Sequence, residues 1–282
     1  MRYLIHKLLL VSLFFLLGCP RRMSPIPAPL RRHEALAHYN RNVESIPPFR
    51  ASIATWELRF YDREGDKRDF NELFGKLFYR PPVRAERPAK FYLEASAPLQ
   101  KGWVVGSNET EYWMYSPWGG GIGYWGKYEH YGKDCASLVP MHPQVLLEFA
   151  GLLPLPIKPP YPLYKVRSET YIIEYVVLKH EGYSSKREII VDRRSNLPRE
   201  INAYDADGLL LMHSDLSKYK PLEEALLPTE IFISFAQEDS FLRLKISGYQ
   251  LDPKNREPLF RRPARISGIT DYQQIDQDCE NE

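Results

Sequence analysis

The sequence predicts a mainly β protein: a curved antiparallel meander of about ten or eleven strands, with a central helix and a few short helices as plug or lid. Three observations carry this. Runs of alternating apolar and polar residues, rich in Val, Ile, Tyr, Phe and Trp, recur through the chain between turn residues. A single stretch, Pro143 to Leu153, has clear helical spacing. A meander this long must curl or close to hide its inner face.

The chain opens with Arg2 and Lys7, then the apolar run Leu8 to Leu17, then Gly18-Cys19. A basic start, a short apolar core and small residues at the cut make a secretory signal, residues 1–18. The run is too short to span a bilayer as a mature helix. Leu16-Leu17-Gly18-Cys19 resembles the lipobox of bacterial lipoproteins, in which the Cys becomes the first mature residue and carries acyl chains. That resemblance makes Cys19 the lipidation site and the membrane the first partner. Pro20, rather than Asp, follows the Cys, which points to an outer-membrane location facing the periplasm. Residues 19–48 then form a tether with Pro20, Pro25, Pro27 and Pro29 among Arg21, Arg22, Arg31 and Arg32. Its basic residues suit anionic head groups. A short surface helix follows over about His33 to Val43. His33 and His38 lie five apart, which is not the i, i+4 pair of a zinc-protease helix.

Arg50 to Asp62 alternates, with Trp56, Leu58 and Phe60 on one face and Glu57, Arg59 and Tyr61 on the other. Arg63-Glu64-Gly65-Asp66 turns the chain, and Phe70 to Tyr79 returns it with Gly75 as a bulge. Three short strands follow at Phe91–Ala95, Gly102–Val105 and Glu111–Tyr115. Phe91, Leu93 and Ala95 share one face, and Trp103 joins the same greasy side. Trp118-Gly119-Gly120-Gly121 is a turn, not a phosphate loop, because no Gly-Lys-Ser/Thr follows. Gly123 to Gly132 returns with Tyr124, Trp125, Tyr128 and Tyr131, aromatics that stack across a ladder more readily than they make a carbohydrate platform. After the helix and the proline-broken stretch to Pro162, strands are expected at Thr170–Lys179, Lys186–Asp192, Pro198–Asp205, Leu209–Asp215, Thr229–Ala236 and Phe241–Leu251. Ile231, Ile233 and Phe235 share a face, as do Leu242, Leu244 and Ile246. Asp205-Ala206-Asp207-Gly208 lacks the rest of a calcium loop and reads as a hairpin turn. Residues 264–282 read as a polar tail.

Net charge is +2 over 282 residues, so nothing in bulk electrostatics argues for nucleic acid. The aromatic load, with 19 Tyr, 13 Phe and 5 Trp, suits broad sheets and apolar grooves. Of the three cysteines, Cys19 is the acylation candidate; Cys135 and Cys279 either pair in an oxidising envelope or stay free. No Gly-x-Ser-x-Gly elbow and no Cys-x-x-Cys occur, and the seven His never meet Cys or carboxylates at metal-ligand spacing. The expectation is a non-enzymatic protein with no cofactor and no metal.

Several motifs in order resemble the LolA/LolB superfamily of bacterial lipoprotein carriers and receptors. Arg87-Pro88-Ala89-Lys90-Phe91 resembles its Arg-Pro-x-x-Phe. Gly106-Ser107-Asn108 through Trp113-Met114-Tyr115-Ser116-Pro117 resembles its Trp-x-Tyr-x-Pro strand, with Ser107-Asn108 in place of Asp-Gly. Ile190-Val191-Asp192 to Leu197-Pro198-Arg199 and Tyr204 to Gly208 resemble its later hairpins, and Leu259-Phe260-Arg261-Arg262-Pro263 its closing Phe-x-x-Pro. The match covers roughly residues 50–263, inside a β domain drawn at 49–263. The resemblance implies an unclosed β-barrel with helices as lid over an apolar cavity that receives lipoprotein acyl chains. It implies that Trp56, Leu58, Phe60, Phe91, Leu93, Trp103, Ile231, Ile233, Phe235 and Leu244 line that cavity, and that Arg87 hydrogen-bonds the lid; pairing of Arg87 with an acidic neighbour is the alternative. Partners would be lipoprotein acyl chains or other lipids, and other envelope proteins. A structural or interaction lipoprotein with a self-filled sheet stands beside this reading.

Overall fold

The computed structural model describes residues 26–61, 65–82, 87–97, 100–116, 121–131, 133, 142–155, 162–178, 184–236, 239–252, 256–266 and 268–280. The leader, Cys19 and Cys135 lie outside them. The elements run α1 (Arg32–Glu44), β1 (Phe49–Tyr61), β2 (Lys67–Arg80), β3 (Lys90–Ala97), β4 (Gln100–Ser107), β5 (Glu111–Ser116), β6 (Ile122–Lys127), α2 (Pro143–Phe149), β7 (Leu163–Val166), β8 (Thr170–Leu178), β9 (Ser184–Asp192), β10 (Pro198–Tyr204), β11 (Leu210–Ser217), β12 (Lys220–Leu222), β13 (Ala225–Leu227), β14 (Glu230–Phe235), β15 (Ser240–Leu251) and β16 (Asp271–Gln274).

Among the described residues fourteen strands make one sheet, ordered β16-β6-β5-β4-β3-β2-β1-β15-β14-β11-β10-β9-β8-β7, which does not close into a barrel. Neighbours are antiparallel except β16, which lies parallel on β6. The sheet is two meanders, β1 to β6 and β7 to β14, joined where β15 pairs with β1 and β14. Strands β12 and β13 form a separate hairpin. The strand count exceeds the ten or eleven expected. Strands β7, β12, β13 and β16 went unread because three or four residues are too few to show an alternating pattern.

The antiparallel register fixes two ends. Tyr61, Ala97, Tyr204 and Phe235 end their strands at one rim; Arg80, Ser107, Asp192 and Ser217 end theirs at the other, called here the base. Gly75 pairs with Ile53 beside a register shift in β1, as expected of a bulge. A Cβ there would lie 2.6 Å from the Glu94 carbonyl oxygen and 2.9 Å from the Trp56 ring, so only glycine fits. The Asp205 turn is a hairpin: its Oδ1 accepts from the backbone N–H of Asp207 and Leu209, and Gly208 has φ +83°.

Helix α1 falls where the sequence places it. Helix α2 is shorter than the expected run to Leu153. Its last turn closes at Gly151, φ +71°, whose N–H donates to the Glu148 carbonyl; that left-handed conformation cannot continue a helix. The stretch read as a polar tail carries β16 and docks on the sheet. Both helices sit on one face of the sheet, where α1 residues Leu36, Tyr39 and Val43 and α2 residues Leu146, Leu147 and Phe149 share a single apolar cluster with the strands.

Candidate functional site

The inner face is built by strand parity. Trp56 on β1 pairs with Leu244 on β15, which pairs with Ile231 on β14; one row nearer the rim, Leu58, Leu242 and Ile233 repeat the pattern. Directly opposed side chains touch, so these rows form a continuous apolar floor. All ten candidate residues fall on it. Trp56, Leu58, Phe91, Leu93, Trp103, Ile231, Ile233 and Leu244 are buried, while Phe60 and Phe235 are half-buried towards the rim. Trp56 and Trp103 meet edge to face at 5.4 Å, and Phe60 stacks on Phe70 at 5.9 Å.

The floor is covered by the protein's own helices. Three polar devices, none read from the sequence, hold that cover. The Asn40 amide on α1 donates to the Leu155 carbonyl and accepts from the Leu155 N–H, at 3.0 and 2.8 Å. Asn42 makes the same paired contact with Leu226 on β13. These two amides substitute for strand-like backbone pairing and tie α1 to both flanking segments. The third device is on α2: Glu148 Oε1 accepts from Arg187 Nε and from the Tyr175 hydroxyl, each at 2.9 Å. Arg187 and Tyr175 oppose one another on β9 and β8, on the same parity as Ile189 and Ile173. An arginine on an inward parity is the signal that could have found it. Burial, reinforced by the Glu148 charge, holds the Tyr175 phenol well above its ordinary pKa, so it donates at every physiological pH.

Arg87 is not part of this cover. It pairs with Glu109 at the base and is half exposed, which is the acidic-neighbour alternative. Beside α2, His142 stacks on Tyr131 at 4.0 Å and meets Tyr112 at 4.1 Å. Its Nδ1 accepts from the Gln144 N–H, and burial pushes its pKa down to about 3, so it is neutral. A depression of about 330 Å³ lies between β11, β14 and β15, lined by Asp215, Glu230, Phe232, Arg243 and Lys245. Its walls are charged, unlike the inner floor.

The fold recurs in solved structures. The chain has a LolA-type fold. It superposes on a domain from Vibrio parahaemolyticus described as outer membrane lipoprotein-sorting, with TM-score 0.53 and 13% identity, over 80% of this chain and 94% of that one. A DUF1329 family protein from Desulfovibrio piger gives TM-score 0.53 and 14% identity, over 85% and 98%. A LolA superfamily protein from Nitrosomonas europaea gives 0.50 and 11%, over 83% and 99%. No protein-family model matches the sequence, and no curated protein sequence matches it. The likeness is therefore one of fold.

Proposed function

We propose that this chain is a lipid-anchored, non-enzymatic protein of the bacterial envelope, held at the outer membrane through Cys19, that takes acyl chains of lipoproteins or other lipids onto the inner face of its sheet. The observation that carries this is the pairing of a continuous apolar floor with a cover held by discrete polar contacts, above all Glu148 against Arg187 and Tyr175. The fold shared with a lipoprotein-sorting domain supports it. In the resting state the floor is occupied by α1 and α2, so a ligand must displace α2. Burying one 16-carbon chain gains about 12 kcal/mol gross. Lifting a helix of this size consumes much of that, which suits a cargo that must also leave.

Solvent extraction and mass spectrometry of the purified protein, with uptake of a fluorescent fatty acid, test the reading. Glu148→Gln weakens the contact to Arg187 and should raise uptake severalfold. No co-purified lipid, and no uptake by either protein, would count against it. One observation favours a second reading, a structural or interaction lipoprotein: Trp56 is 0% and Ile233 1% exposed, so the floor is already filled. Under that reading Glu148→Gln lowers stability and changes nothing else.

A further inference from the structure

The segment leading into α1 is pinned at one corner of the base. Arg193 Nη2 donates to the Pro27 carbonyl at 2.5 Å, while its Nη1 donates to the carbonyls of Ser168 at 2.6 Å and Arg167 at 3.1 Å. Three residues on, the Leu30 N–H donates to the Tyr171 hydroxyl at 2.9 Å, and the Tyr164 hydroxyl donates to the Leu30 carbonyl at 2.8 Å. Arg193 also lies over the Tyr171 ring. The tether is thus bound to the β7–β8 and β9–β10 turns before α1 begins. The turn that carries Arg193 is rigid for its own reasons: Asp192 Oδ1 accepts from the N–H groups of Arg194 and Ser195 and from the Ser195 hydroxyl, and Asn196 has φ +58°.

That corner is basic. Arg31, Arg32, Arg167, Arg194 and Arg199 are exposed there, with Arg193 half-buried among them. The opposing charges are fewer. Glu34 is engaged by Arg31, Asp192 is spent on its own turn, and Glu169 remains on the surface. Pro27 lies eight residue steps beyond Cys19, about 28 Å at full stretch. The pinned corner therefore cannot stand further than that from a membrane holding Cys19.

We infer that the arginine corner around Arg193 is a membrane-facing surface that docks on anionic lipid head groups, setting the base of the sheet towards the bilayer. This rests on the acylation of Cys19. Where the tether alone would let the domain tumble, the corner gives it one orientation, and each arginine near an anionic surface strengthens attachment about fivefold. The rim, with Phe60 and Phe235, then faces away from the home membrane.

The test uses the processed, membrane-extracted protein reconstituted in phosphatidylcholine vesicles, with or without phosphatidylglycerol, whose head groups carry a nitroxide quencher. A fluorophore is attached at Ser195→Cys or, as control, at Asp66→Cys in the turn beyond the rim. Severalfold more quenching at 195 than at 66 is expected, only with phosphatidylglycerol and only at low salt. The double change Arg167→Glu with Arg194→Glu should abolish it. Equal quenching at both positions, or quenching indifferent to phosphatidylglycerol, overturns the proposal. Failure of the anchor reads differently: protein then fails to float with phosphatidylcholine vesicles. In that event flotation with phosphatidylglycerol vesicles, and its loss in the double variant, decides the corner on its own.

Discussion

The two meanders of the sheet use opposite solutions to the same problem. In the first, β1 to β6, helices lie inside, and the chain after β15 covers the outer face of β2 to β6 towards the base, leaving Phe74 on β2 exposed nearer the rim. Phe260 seats among Phe78, Tyr92 and Val104 on the outer face, while Arg262 lies 3.7 Å over the Trp125 ring and bonds Glu111 at 3.3 Å. Tyr272 on β16 fills the space where Gly123 has no side chain. The segment ends at buried Asp276, which accepts from the Lys127 N–H, Gln274 and His130, and at disulfide-bonded Cys279, whose partner lies outside the described residues. The second meander dresses its outer face with ion pairs, with Ile172 and Asn202 buried between them. Glu174 meets Lys165 and Lys186, and Lys186 also meets Glu188. A doubly covered sheet is held by packing; a half-covered one needs only alternation. The difference teaches where the chain stores its stability.

The sharpest way to break the comparison is to remove the outer clamp. Phe260→Ala should cost about 3–5 kcal/mol in urea unfolding, whereas Phe232→Ala, on the open outer face, should cost less than about 1 kcal/mol. Similar losses would mean that the C-terminal segment does not brace the first meander. Reducing the Cys279 disulfide should cost about 2–4 kcal/mol and should speed hydrogen exchange in β5 and β6 before it reaches β10 and β11.

Acid gives the smallest effect at first and sharpens the comparison. His142 is neutral in the fold with its pKa lowered to about 3 by burial, so the unfolded chain takes up a proton that the folded chain refuses. Its contribution is whole above about pH 6.5 and falls by about 1.4 kcal/mol per pH unit below it, down towards pH 3. Asp276 adds to this at lower pH. Burial alone would raise its pKa, but the Lys127 N–H, Gln274 and His130 outweigh that and hold it below the ordinary aspartate value of 3.8, so its share is lost as pH falls beneath that value. Both groups pack against the first meander, His142 on Tyr112 and Asp276 on the Lys127 N–H. Urea midpoints between pH 7 and 4 should flatten in His142→Phe and stay steep in His213→Phe, whose histidine pairs with Asn202 on the open outer face.

Much of this was legible in the sequence. Twelve strands and both helices lie where alternation and spacing put them, and the ten candidate residues lie on one face, because a period of two sorts them there. Alternation lapses where consecutive residues are all buried. Phe91-Tyr92-Leu93 and Tyr112-Trp113 run apolar without alternation, and all these residues are buried. What escaped was the polar hardware. Asn40 and Asn42 look like surface residues of an amphipathic helix, and Glu148 pairs with residues 27 and 39 positions away. Long-range hydrogen bonds leave no local period to read.

The pairing of β1 with β15 sets Phe49 opposite Leu251, so the seam between the meanders closes a loop of some two hundred residues. Each meander is made of neighbouring hairpins and can form early, whereas the seam must wait for nearly the whole polypeptide, and that closure is entropically slow. Synthesis supplies β15 after every other strand but β16, so the hairpins of both meanders can form before their seam is able to close. Late zipping at one central line thus commits the polypeptide to its final shape only once almost all of it has been made.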